Sequence, residues 1–265
     1  MDINDIPHTR GNAIKFFKAL TDTRKDTLRG KKVYDLSAGS GYIANLFYEC
    51  GSIVKALDLF PEHNQYKHLD TGNIDLSKDF DIGDGMADIV ILSETFEHLP
   101  DQYHFFREVS RILDKNGLFI LTTPNPSSLR SRFSQFVTES EHYSNPLPDE
   151  TNAYVQWPGT GNGYFNKIFI SGILRIRVLA AINGLKIKTI HQSEATSTSV
   201  LLMIFYPLIW FFSWKNYRKQ IKQHIENKHI YQQIYDINTS VKILLSKHLI
   251  IEFEKNEVNN SENQT

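Results

Sequence analysis

At 265 residues, 41% hydrophobic and 22% charged, the chain is long enough to bury a full core, as one large domain or one domain with an insertion. A formal net charge of −1 supplies no long-range field toward a polyanion, so no nucleic-acid partner is expected. Cys50 is the single cysteine, which excludes a disulfide within the chain and suits a cytoplasmic setting; the opening Met-Asp-Ile-Asn-Asp shows no apolar signal segment.

In chain order, residues 9–28 place Ile14, Phe16, Phe17 and Leu20 among charges, predicting a helix in an N-terminal segment over 1–30. Residues 33–36 are a short apolar run, and 37–41 are small residues that let backbone turn tightly and approach a ligand. From Tyr42, the apolar positions Ile43, Leu46, Phe47 and Cys50 predict a short amphipathic helix that stops at Gly51. A second strand over 53–57 ends in Asp58, seventeen residues beyond Gly41, the layout that holds a ribose by its two hydroxyls. Residues 66–73 read as irregular, and Ile74-Asp75-Leu76 as a short third strand. Asp75 there suits an adenine amino group or, equally, a solvated loop.

Residues 89–92 form the continuous apolar run of a doubly covered parallel strand, closed by Ser93. Pro100-Asp101 predicts the start of a helix with an exit at residues 114–117, and residues 118–122 predict a fifth strand. Residues 127–163 are too long for an idle connection and read as a lid or substrate-binding excursion. A helix over 165–183 and a strand over 185–190 follow, and the polar tail 256–265 reads as frayed.

The turn does not fit G-x-G-x-x-G, matching at one position of the register Ser37, Gly39, Tyr42, and it lacks the Lys-Ser/Thr of a P-loop. At Asp35-Leu-Ser-Ala-Gly-Ser-Gly41 it resembles motif I of the class I S-adenosylmethionine-dependent methyltransferases, with Ser37 in place of the family's first glycine, where it could crowd the ligand or change the turn. The stretches Ala87-Asp-Ile-Val-Ile-Leu-Ser-Glu-Thr-Phe-Glu-His-Leu-Pro-Asp101 and 107–125 look like the post-I motifs of the same family, in its type 11/23 group, so that the resemblance spans about residues 31–126.

The resemblance implies an α/β fold: a doubly wound, mostly parallel, seven-stranded Rossmann-like sheet. The core over 31–191 would be completed by an antiparallel last strand, 248–255, after a helical apolar insertion over 192–247. It implies S-adenosylmethionine held by Asp35, Ser37, Ala38, Gly39, Gly41, Tyr42, Asp58, Leu59, Asp75, Leu76 and Ser93. His98, in the loop after the fourth strand, is the candidate general base for a hydroxyl acceptor, against a local capping or packing role. Glu94, Glu97 and His98 match an E-x-x-E-H element that relatives use for a divalent cation. On one face of a helical turn the three would hold Mg²⁺ to lower the acceptor's pKa, with His142 a guessed further ligand.

The insertion carries thirteen apolar residues, 200–212, followed by Trp214 and basic residues. The run is short for a bilayer span and interrupted by Pro207. It suits either a buried core helix or, through 199–219, a peripheral contact with the inner face of a membrane. The leading expectation is O-methylation of a small-molecule, glycan or lipid-linked acceptor. The alternative is a non-catalytic module of the same fold that binds a partner or membrane surface through the insertion. A nicotinamide-dependent oxidoreductase is a distant third, because the glycine register is wrong.

Overall fold

A computed structural model describes residues 11–141, 148–156 and 163–255. The expected tail, His142 and parts of the 127–163 excursion lie outside these residues. The leading helix forms as α1, Gly11–Leu28, and packs Ala13, Phe17 and Leu20 on the sheet. β1, Lys32–Asp35, enters the small-residue turn, and α2, Tyr42–Glu49, leaves it. Gly51, at φ +82°, reverses the chain into β2, Ile53–Asp58, parallel to β1.

The third strand differs from expectation. It is β3, Asp70–Asn73, and Ile74-Asp75-Leu76 lies beyond it. Among the described residues Asp-Thr-Gly-Asn pairs only with β2, at the sheet's edge, so half of the strand's usual apolar demand is missing. Ile74 and Leu76 are apolar because they are buried in the core beneath the loop.

β4, Ala87–Ser93, is nearly all buried. Asp101 caps α3, Gln102–Ile112, by accepting the His104 N–H, and β5 spans Leu113–Pro124. The expected helix exit at 114–117 is thus already strand, which pairs with β4 across a register shift between Ala87 and Ile89. The excursion contributes α4, Leu129–Thr138, and a hairpin of β6, Tyr154–Gln156, with β7, Gly163–Phe165. The next helix is shorter than expected: α5 is Ile173–Ile182. The residues before it are tied in an extended course, where the Ser171 hydroxyl and Phe169 carbonyl bond to Gln102. β8, Leu185–His191, precedes the insertion, and β9, His248–Lys255, follows it.

The sheet order is β3-β2-β1-β4-β5-β9-β8, with β9 antiparallel to both neighbours and the insertion just before it, as the sequence led us to expect. Helices cover both faces, with a separate apolar cluster on each. On one face the rings of Phe119 and Phe253 stack at 5.5 Å, with Phe106 edge-on to both. On the other, Arg24 of α1 makes two hydrogen bonds to the buried Glu252 of β9, which His191 also meets at 2.8 Å. Burial opposes the ionised form of Glu252, but these two partners hold its carboxyl below the usual range.

The insertion forms α6, Ser197–Leu201, a 3-10 turn over Leu202–Phe205, and α7, Tyr206–Gln223, then α8, Lys228–Thr239, and α9, Val241–Leu245. Pro207 falls in the first turn of α7, where its missing N–H is tolerated, directly after the 3-10 turn at which the α-helical run breaks. Taken through that turn, Ser197–Gln223 is a 27-residue helical stretch, long and apolar enough to cross a membrane by length and composition. It is not a core helix, because only 6% of its apolar window is buried.

Phe253→Ala should cost about 3–5 kcal/mol of stability, because the fully buried ring leaves a cavity in a rigid aromatic cluster. Urea denaturation beside a Phe253→Leu control checks this, with the control losing less.

Candidate active site

Parallel pairing of β1 with β2 and β4 brings three strand ends to one edge, with Asp35 opposite both Ala56 and Ile91. The expected cofactor residues of the first two strands gather there. Asp58 accepts the Gly39 N–H at 2.8 Å on one oxygen and the Phe60 N–H at 2.9 Å on the other, and the Ala38 N–H bonds to the Leu57 carbonyl. Gly39 has φ +50°, and among the described residues nothing lies within 4 Å of where a Cβ would stand, so none of them closes the turn above it. Gly41, at φ +82°, is needed for a second reason: a Cβ would lie 2.6 Å from the Asn64 side chain.

Ser37, in place of the family's first glycine, joins two strand ends. Its backbone is not left-handed, and its hydroxyl accepts the Ser93 N–H at 3.0 Å, tying the end of β1 to the end of β4. Ser93 in turn shares a hydroxyl contact with Thr122 of β5.

Asp35 is buried beneath the turn and accepts the Ser37 N–H at 3.3 Å, so it supports the turn from below. Burial pushes its pKa up to about 7, with Asp58 adding to the rise and the Ser37 and Ala44 N–H groups opposing it. Tyr42 opens α2, half-buried. The Leu59 carbonyl accepts from Asn73, fixing the loop after β2. Asp75 is bound locally to Ser77 and Lys78. Burial opposes its ionisation, and those partners outweigh it and hold the carboxyl below its ordinary value. Leu76 is in the core.

The acidic element after β4 does not form the expected three-ligand face. Glu94 is left-handed at φ +55°, and only Phe96–His98 makes a 3-10 turn, so 94, 97 and 98 diverge. Glu94 reaches His248 at 2.9 Å and Thr122 at 3.2 Å, whereas Glu97 bonds to Thr123 and lies 3.4 Å from the Lys167 ammonium. Among the described residues no group of three His, Cys, Asp or Glu could hold a metal ion. The residues present do not fit Mg²⁺ in the expected arrangement.

His98 does sit at this edge. Its Nδ1 lies 2.6 Å from the Phe165 carbonyl, with Tyr164 edge-on to the ring and Nε2 4.0 Å from Glu97. A carbonyl can only accept, so Nδ1 carries a proton and Nε2 is the basic nitrogen of the neutral ring. Sequence reasoning missed His248 and Lys167. Both come from distant segments whose approach depends on β9 register and hairpin placement.

A family model described as a methyltransferase domain matches residues 9–166, more than half of the chain, and the chain belongs to that family. Ubiquinone biosynthesis O-methyltransferases of Xanthomonas campestris and Xanthomonas oryzae are 26% and 27% identical over 136 residues, 48% of this chain and 56% of theirs. The chain thus spans about half the length of the curated relatives it matches. A solved SAM dependent methyltransferase from Archaeoglobus fulgidus superimposes with a TM-score of 0.52 at 12% identity, over 91% of this chain and 94% of that one, a likeness of fold.

Asp35 makes the stability of the fold depend on pH. The folded protein keeps this proton to about pH 7, while an unfolded aspartate releases it near 3.9. The folded state therefore binds more protons between these values, and stability falls as pH rises through the window. Asp35→Asn removes that slope, so the stability of Asp35→Asn relative to wild type should climb by on the order of 4 kcal/mol from pH 4 to 7 and flatten above it. Chemical denaturation of both proteins across this range measures the difference.

Proposed function

We propose that the chain transfers the methyl group of S-adenosylmethionine to a hydroxyl of a small-molecule acceptor. The open turn at Gly39, closed from the side by Asp58, is the observation that carries this reading. Backbone from Ala38 to Tyr42 can approach a ligand there. Each Asp58 oxygen keeps a lone pair for a ribose hydroxyl after accepting one N–H. Leu59 and Asp75 would flank the adenine side, with Leu76 packed in the core behind them, and Ser93 the strand end nearest the acceptor.

When bound, the cofactor supplies an electrophilic methyl on a sulfonium, whose leaving group needs no proton. The protein's tasks are then alignment of the acceptor and removal of its proton. His98 performs the second: Nε2 takes the hydroxyl proton while the Phe165 carbonyl holds the ring through Nδ1, and Glu97 nearby stabilises the imidazolium that results. Glu94 and Glu97 are turned to different partners and do not converge on a common cation position.

The Xanthomonas relatives are named as O-methyltransferases, which supports oxygen as the accepting atom. The exposed apolar helix supports an amphipathic or lipid-linked acceptor over a soluble glycan.

Transfer of a labelled methyl from S-adenosylmethionine to phenolic, prenylated phenolic and glycan acceptors tests this. Apolar phenolics should be labelled, and His98→Ala should lower turnover by about 100-fold with cofactor affinity unchanged. Full turnover by His98→Ala, or no labelled acceptor despite cofactor binding, would overturn the reading.

A further inference from the structure

The Ser197–Gln223 helix has two unlike sides. Leu202, Tyr206, Ile209, Ser213, Tyr217 and Gln220 recur at helical spacing and are half-buried against the body. Two contacts fix that side: the Tyr206 hydroxyl donates to the Thr239 carbonyl at 3.1 Å, and Tyr217 meets the Tyr235 ring at 5.5 Å. The other side is open and apolar, with Leu201 and Ile204 each 77% exposed and Phe212 61% exposed. The neighbouring α4, which packs beside α6, also exposes an apolar side chain, Phe136 at 87%. An exposed apolar surface drawn from two elements marks an interaction site.

Charge identifies the occupant. Past Phe212 the helix turns basic, with Lys215, Arg218, Lys219 and Lys222, and neither 197–223 nor 129–138 contains a single aspartate or glutamate. At the junction, Trp210 and Trp214 stack at 6.3 Å, and the Arg218 guanidinium lies over the Trp214 ring at 5.9 Å. We propose that this helix, with the outer side of α4, docks the protein on an anionic lipid bilayer, lying in the plane of its interface.

Apolar side chains then enter the acyl boundary, the tryptophans sit at headgroup level, and the basic half meets lipid phosphates. A second copy of the chain is a poorer fit, because its matching face would set cations opposite cations with no carboxylate to receive them. A spanning helix is a poorer fit, because the inner side is already held by α8. The inference stands on this surface alone and does not depend on the methyl-transfer reading.

Flotation of the full chain with vesicles tests it, using phosphatidylcholine alone and phosphatidylcholine mixed with phosphatidylglycerol. The chain should float with the mixed vesicles. Recovery should fall by about tenfold on neutral vesicles, in high salt, or for either Leu208→Gln/Phe212→Gln or Lys215→Glu/Lys219→Glu. All four substituted side chains are exposed, so both double variants should keep the wild-type circular-dichroism melting curve. Equal recovery of wild type and both variants, or no flotation with either vesicle, would overturn the proposal. So would a lipid-free dimer abolished by Leu208→Gln/Phe212→Gln, which makes the face a self-interface, or resistance to alkaline extraction, which makes the helix a span.

Discussion

Strand β1 is hydrogen-bonded on both sides, and the geometry of the site depends on that double pairing. β2 delivers Asp58 to the Gly39 N–H, and β4 delivers the Ser93 N–H to Ser37, so the turn between β1 and α2 is held from left and right by different neighbours. A parallel sheet needs both faces covered, which α1 and α2 on one side and α3 and α5 on the other provide. The turn is consequently the end of a rigid layer, and Gly39 can stay open without collapsing into it.

Much of this was legible in the sequence because apolar pattern and position agree. The continuous apolar run at 89–92 suits a strand covered on both faces, and the small residues between 37 and 41 suit a close turn. The edge strand was not legible for the same reason: Asp70-Thr-Gly-Asn has one neighbour and exposed faces, so nothing in its residues announces a strand. The helix α5 was drawn too long because the apolar residues before Gly172 pack as extended chain, held by Gln102 of α3.

The site shows the same division. Asp58 could be placed by spacing, since one crossover separates it from the turn. Glu94, Glu97 and His98 could not be arranged by spacing, because the helical periodicity behind that expectation fails at a left-handed Glu94. Their partners are set by long-range pairing: β9 runs antiparallel to β5, so His248 lies opposite Pro124 and reaches Glu94, while the segment after β7 brings Lys167 to Glu97. Ser37 is a further case. Its hydroxyl links two strands, a bond that a glycine at this position could not make. The apolar insertion was ambiguous on composition, and exposure decided against core burial.

Calorimetric titration of S-adenosylmethionine and S-adenosylhomocysteine into the full chain, beside Asp58→Ala and with NADH as comparator, addresses the cofactor site directly. The account predicts saturable binding of both sulfur compounds, weakened by the substitution, and none of NADH. Absence of binding by a folded protein, or binding that Asp58→Ala leaves unchanged, would contradict it.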